Sequence, residues 1–139
     1  MPAGAPENGT MTNEDGSNGA QARILVVDDH APSAEMLAEI LTLEGHEVRM
    51  AHTAVEAVEV ARSFAPGIAV LDIGLPDQDG FELARSIKAD PQLQDIHLIG
   101  VSGYGQSQYP RRAKEAGFEH YLVKPVDLDE LLMLVRSLG

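Results

Sequence analysis

Cysteine and tryptophan are missing from this 139-residue chain, Phe and Tyr number three each, and only 10 Lys and Arg stand against 22 Asp and Glu. The absence of cysteine excludes disulfide frameworks, thiolate metal sites and cysteine nucleophiles. The shortage of bases, with a formal charge of −12, speaks against direct binding to nucleic acid, whose affinity comes mainly from Lys and Arg neutralising phosphates. Long apolar runs are also missing. Ile24 to Val27 and Ile68 to Leu71 fall far short of the roughly 18 to 20 residues a membrane-spanning helix needs, so no membrane association is expected. The first residues lack the basic start and apolar core of a signal peptide, which places the protein in the cytoplasm by default. What remains, 44% apolar residues, is the composition of one ordinary globular domain.

Residues 1–21 read as a disordered acidic tail or linker, and 22–139 as the folded domain. Met1 to Ala20 hold four Gly, two Pro and three acids, but no base and no Val, Ile, Leu or aromatic, too little apolar surface to offset the entropy of ordering. Without them the chain keeps 19 acids against 10 bases, a charge of −9. The acidity therefore belongs to the domain, and the question is whether any of its carboxylates are placed to do chemistry.

From Arg23 the pattern alternates between short apolar runs of strand length and segments with helical spacing, the signature of βα units around a parallel sheet. Strands are expected at Ile24–Val27, Glu47–Met50, Ile68–Leu71, Ile96–Val101 and about His120–Val123, the second nearer an edge because it is the least continuously apolar. The first helix runs through Ala34, Leu37, Ala38 and Leu41, with Pro32 in its first turn and Gly45 past its end. Thr53 and Glu56 stand at capping-box spacing before the second, which stops at Pro66 and Gly67. A third carries Phe81, Leu83, Ala84 and Ile87. A fourth spans about Ser107 to Ala116, and a fifth, capped by Asp127, runs from Leu128 to Leu138. Five such units make a doubly wound, three-layer α/β/α domain, in which ligands bind beyond the carboxyl ends of the strands.

Those ends carry Asp28 and Asp29 after strand one, Asp72 after strand three, Ser102 after strand four and Lys124-Pro125 after strand five. Three carboxylates at one sheet edge repel each other, and the remedies are a raised pKa or a bound hard cation; so oxygen-rich a cluster suits Mg²⁺. Lys124 supplies a compact positive charge, and a hydroxyl such as Ser102 can hold a phosphoryl oxygen. A carboxylate can itself attack a phosphoryl donor to give an acyl phosphate, and Asp72, alone at its strand end and followed by flexible Gly74, is the best candidate. The plainer reading of each acid is a cap: Asp28 and Asp29 for the following helix, Asp72 for a turn. Pro76 and Gly80 read as loop geometry only.

The motifs ILVVDD at 24–29, VLDIGLPDQDGFEL at 70–83, LIGVSGYG at 98–105 and EAGFEHYLVKPVD at 115–127 together resemble a response-regulator receiver domain of two-component signalling, from Ile24 to Leu138. The resemblance implies a flavodoxin-like receiver fold, a five-stranded parallel sheet of order 2-1-3-4-5. It implies that Asp72 accepts the phosphoryl group and that Asp28, Asp29, Asp72 and the backbone carbonyl of Gly74 hold Mg²⁺. Lys124 then pairs with a phosphoryl oxygen, Ser102 moves to bond another, and Tyr121 turns inward as Ser102 moves. The expected partners are a histidine kinase or histidine phosphotransfer protein. A downstream protein or a second copy is expected on the face made by the fourth helix, fifth strand and fifth helix. Ser102 replaces the commoner threonine, keeping the hydroxyl and losing a methyl. Tyr104 is a candidate shield of the acyl phosphate.

Three other readings compete. An aspartate-nucleophile phosphatase needs a second acid two residues after the first-strand nucleophile, a place held here by His30. A flavodoxin-like cofactor binder needs a phosphate-cradling loop after strand one, where this chain has Asp28-Asp29-His30. A degenerate receiver used only for docking would not fill every chemical position. The five histidines, His30, His46, His52, His97 and His120, show no metal spacing and read as structural or exposed. The chain ends directly after its last helix, so no output domain is expected to follow, as in a stand-alone receiver or one belonging to a hybrid kinase.

Overall fold

The computed structural model describes residues 21–103 and 110–138. The tail expected over 1–21, apart from Gln21, lies outside these residues, as do Tyr104 and the expected start of the fourth helix at Ser107. The apolar runs form strands β1 (Arg23–Val27), β2 (Glu47–Ala51), β3 (Ile68–Asp72), β4 (His97–Ser102) and β5 (Phe118–Val123). Each is followed by a helix: α1 (Ala31–Leu43), α2 (Ala54–Phe64), α3 (Gly80–Ala89), α4 (Pro110–Ala116) and α5 (Leu128–Leu138). All pairings are parallel and the order is β2-β1-β3-β4-β5, as expected.

The central strands are continuously apolar because both faces are covered. Ile24, Val26, Ile68, Val70, Ile99 and Val101 pack with Leu37 and Leu41 of α1 and Leu131 and Val135 of α5. Their neighbours Leu25, Val27, Ala69, Leu71 and Leu98 face the other way, onto Ala57 and Ala61 of α2, Phe81 and Ile87 of α3, and Ala113 and Ala116 of α4. The half-exposed β2 lies at the edge that its sequence suggests.

Helix ends follow local chemistry. Gly45, at φ +98°, closes α1, donating to the Thr42 carbonyl while His46 N–H donates to that of Leu41, a left-handed glycine cap. At α2, Thr53 Oγ1 accepts from Glu56 N–H at 3.1 Å, but the Glu56 carboxylate reaches the N–H of His52, at 2.7 Å, one residue earlier than a standard capping box. Asp127 caps α5 through Glu130 N–H at 3.1 Å.

The fifth strand starts two residues earlier than its sequence suggests. Leu98 pairs with Phe118 and Ile99 with His120, so Glu119 is an extra residue in a bulge that breaks the alternation. Strands β3 and β4 run one residue further than expected, through Asp72 and Ser102, which are therefore held by ladder pairing rather than by loops.

Candidate functional site

The order of the sheet places the ends of β1 and β3 side by side, and with them three carboxylates. Asp28 and Asp72 are buried, 4% and 7% exposed, while Asp29 is exposed. One oxygen from each lies within 4.8 Å of the others. Lys124 enters from the end of β5, its Nζ 3.1 Å from Asp72 Oδ2 and 3.8 Å from Asp28 Oδ2; the peptide bond to Pro125 is cis. An apolar cavity of about 250 Å³, with Val26, Leu37 and Leu128 among its lining residues, opens onto these groups.

Both buried aspartates split their work between two oxygens. Asp28 Oδ1 accepts from His30 N–H at 2.9 Å, and Asp72 Oδ1 accepts from Gly74 N–H at 3.0 Å. The other oxygen of each turns to Lys124. The capping reading is thus half realised: Asp28 braces the turn before α1 without being its N-cap. That place falls to His30, whose side chain makes no capping bond.

Burial raises the pKa of Asp28 above its ordinary value, and the neighbouring charge of Asp72 adds to the rise, against the pull of the His30 N–H and of Lys124. Burial pulls the Lys124 ammonium down, but its bond to Asp72 and the charges of Asp72, Asp28 and Asp29 outweigh burial and hold it above its usual value. Lys124 cancels one of three carboxylate charges. The remaining two match a hard divalent cation, and the donors, all oxygen, fit Mg²⁺.

Ser102, the last residue of β4, is fully buried, one step beyond Val101, the partner of Asp72. Among the described residues its Oγ has no hydrogen-bond partner, and neither does the buried hydroxyl of Tyr121. Tyr121 already lies inward, stacked on Phe81 at 6.4 Å between centroids and edge-on to Phe118 at 6.5 Å. Room for it comes from Gly100, its partner across the ladder, where a Cβ would stand 3.0 Å from Tyr121 Cδ1.

Three features escape the sequence pattern. Gly80 is more than loop geometry: a Cβ there would stand 2.6 Å from Ile73 Cα and 2.9 Å from the Asp72 carbonyl oxygen. Only glycine lets α3 start against the phosphoacceptor candidate's own backbone. Asp77 caps α2 from another loop, accepting from Ala54 N–H at 2.8 Å and Val55 N–H at 3.1 Å, bonds that lower its pKa. His52 Nδ1 lies 2.9 Å from the Asp28 carbonyl oxygen. Neither link has a local signature, because the partners are 23 and 24 residues apart.

Residues 24–136 match the family described as response regulator receiver domain. An uncharacterised 14.6 kDa protein of Leptolyngbya boryana is 36% identical over 118 residues, covering 85% of this chain and 90% of that protein. The polar-differentiation response regulator DivK of Brucella ovis is 25% identical over 114 residues, covering 82% and 93% of the two. Among solved structures, a CheY-like response regulator receiver domain protein from Methanospirillum hungatei is similar at a TM-score of 0.76 and 33% identity, covering 85% of this chain and 93% of that one. Among the described residues no helix is long and apolar enough to cross a membrane.

Proposed function

The chain belongs to the response regulator receiver domain family, and on that premise we propose that it takes a phosphoryl group from a partner's phosphohistidine onto Asp72. Receivers are signalling switches of two-component systems rather than dedicated enzymes. The observation that carries the assignment to this residue is the Asp72 carboxylate at the end of β3, with the ammonium of Lys124 3.1 Å from one oxygen and two further carboxylates beside it.

In the reaction an oxygen of Asp72 forms the new bond to phosphorus. The phosphorus–nitrogen bond of the donor breaks, and its electron pair returns to the imidazole. Asp28, Asp29, Asp72 and the Gly74 carbonyl would hold Mg²⁺, which when bound neutralises charge on the transferring phosphoryl group. Lys124, already against Asp72, is positioned to pair with a phosphoryl oxygen. Ser102 Oγ, buried without a partner among the described residues, gains one when a phosphoryl oxygen arrives. Phe118 and Tyr121 of β5 pack with Phe81 of α3, and on this reading movement at Ser102 is passed to Tyr121 and read out on the α4–β5–α5 face, where a downstream protein docks. The donor is a histidine kinase or histidine phosphotransfer protein, met in the cytoplasm.

Incubation with Mg²⁺ and a small acyl phosphate tests the reading. The intact mass should gain one phosphoryl group in the wild type and none in Asp72→Asn. A gain that persists in the variant, or that needs no Mg²⁺, overturns it.

A further inference from the structure

We infer that His52 is a positioning residue of the cation site: through ring Nδ1 it fixes the Asp28–Asp29 peptide and so the aim of both carboxylates. The inference rests on the proposed Mg²⁺-dependent phosphorylation of Asp72.

The peptide unit between Asp28 and Asp29 joins two of the three acids, so its orientation sets where both side chains start. Asp28 N–H donates to the Ala51 carbonyl at 3.0 Å, the last ladder bond between β1 and the end of β2. In a continuing parallel ladder the Asp28 carbonyl would receive its donor from the next stretch of β2 backbone. That backbone turns away into α2, and the imidazole of His52 takes the place, Nδ1 to oxygen at 2.9 Å. A carbonyl oxygen can only accept, so Nδ1 carries the proton and is the donor.

The ring stands on a fixed base. His52 N–H donates to Glu56 Oε1 at 2.7 Å, within the first turn of α2. That turn is held in place by Thr53 and by Asp77, five residues after Asp72. The two acid-bearing strand ends are thus tied to a common anchor: β1 through His52, and the β3–α3 loop through Asp77. Without the imidazole donor the Asp28 carbonyl is free to rotate toward water. Asp28 then keeps its Oδ1 bond to His30 N–H but loses the restraint on the peptide that aims Asp29.

The test separates this role from mere support of the fold by moving the donor. Asn at 52 places its amide nitrogen where Nδ1 stands; Gln places it where Nε2 stands, out of reach of the Asp28 carbonyl; Ala removes it. Mg²⁺ affinity is measured by calorimetry, and phosphorylation by mass with the small donor. His52→Ala and His52→Gln should weaken Mg²⁺ binding about 10-fold, the usual effect of removing an outer-shell partner. His52→Asn should stay within about 2-fold of wild type. The order matters more than any one variant, since loss of stability alone does not rank Asn above Gln. Equal Mg²⁺ affinity in all four proteins, or equal weakening by Asn and Gln, overturns the role of His52 while Asp72 phosphorylation in the wild type stands. A wild type that binds no Mg²⁺ overturns this inference and the function it rests on together.

Discussion

The two halves of the sheet's carboxyl edge are finished differently. At the ends of β1 and β3 the oxygens of both buried carboxylates face a partner: His30 N–H, Gly74 N–H and Lys124. At β4 and β5 two buried hydroxyls, Ser102 Oγ and Tyr121 OH, have none among the described residues. A buried polar group left without a hydrogen bond costs about 1–3 kcal/mol, so the second half carries a hydrogen-bonding deficit, whereas the strain of the first is the crowding of like charges. On the proposed function, the acidic half holds still around a cation and an incoming phosphoryl group. The hydroxyl half gains most when something arrives to bond with it, and on the proposed function that asymmetry sets the direction of transmission.

The firmest test of the rigid half is Gly80→Ala. The added methyl would meet three backbone atoms of Asp72 and Ile73 at 2.6 to 3.1 Å, and none of them can move without moving the phosphoacceptor candidate. We expect a loss of about 2–3 kcal/mol in urea unfolding, the cost of overpacking against atoms that do not yield. Gly74→Ala is the matched control. A Cβ there has only Asp72 Oδ1 within 4 Å, at 3.8 Å, and should change stability by less than about 0.5 kcal/mol. Equal effects would mean that the backbone of the acidic half gives way, and the contrast between the halves would be lost.

A smaller effect, of opposite sign, is expected from Asp28→Asn. Burial and the Asp72 charge place the folded-state pKa of Asp28 above its unfolded value. Across that window the native protein binds more protons than the unfolded chain, so stability falls as pH rises through it and the penalty persists at neutral pH. Asparagine keeps the shape and removes the charge. The metal-free variant should be more stable at pH 7 by about 1 kcal/mol and flatter in its acid profile above the ordinary carboxylate range, while losing Mg²⁺ binding. A variant less stable than wild type would show that the pairing with Lys124 outweighs the crowding.

The residues that this comparison sets against each other were legible in the sequence, though not their hydrogen bonding. Apolar runs ending in Asp28-Asp29, Asp72, Ser102 and Lys124 locate the site, because strand ends are marked by an abrupt change from buried to chemical residues. The fold follows from the same alternation. What stayed hidden depends on contacts between distant segments: the bulge at Glu119 that disguises the start of β5, Asp77 capping a helix 23 residues away, and Gly80 lying against Ile73. Local spacing carries no record of such meetings. Tyr121 shows a further limit, since its residue type signals an aromatic near the switch but not that Gly100 opposite leaves it room to lie inward.

The least of the expected changes probes the hydroxyl half directly. Tyr121→Phe keeps the ring against Phe81, Phe118 and Gly100 and removes only the oxygen, which has no partner among the described residues. Deleting an unsatisfied buried hydroxyl with little change of shape should stabilise the unphosphorylated protein by roughly 0.5–1 kcal/mol, read as a higher urea midpoint at unchanged slope. If the hydroxyl finds a partner only after Asp72 is phosphorylated, the same substitution costs the phosphorylated form a bond, and the gain should shrink or reverse when the beryllofluoride mimic is bound. The sign of the change across the two states is therefore the measurement that matters. Destabilisation in both would mean that the Tyr121 hydroxyl is satisfied from the start, and the two halves of the edge would then differ in composition but not in readiness to move.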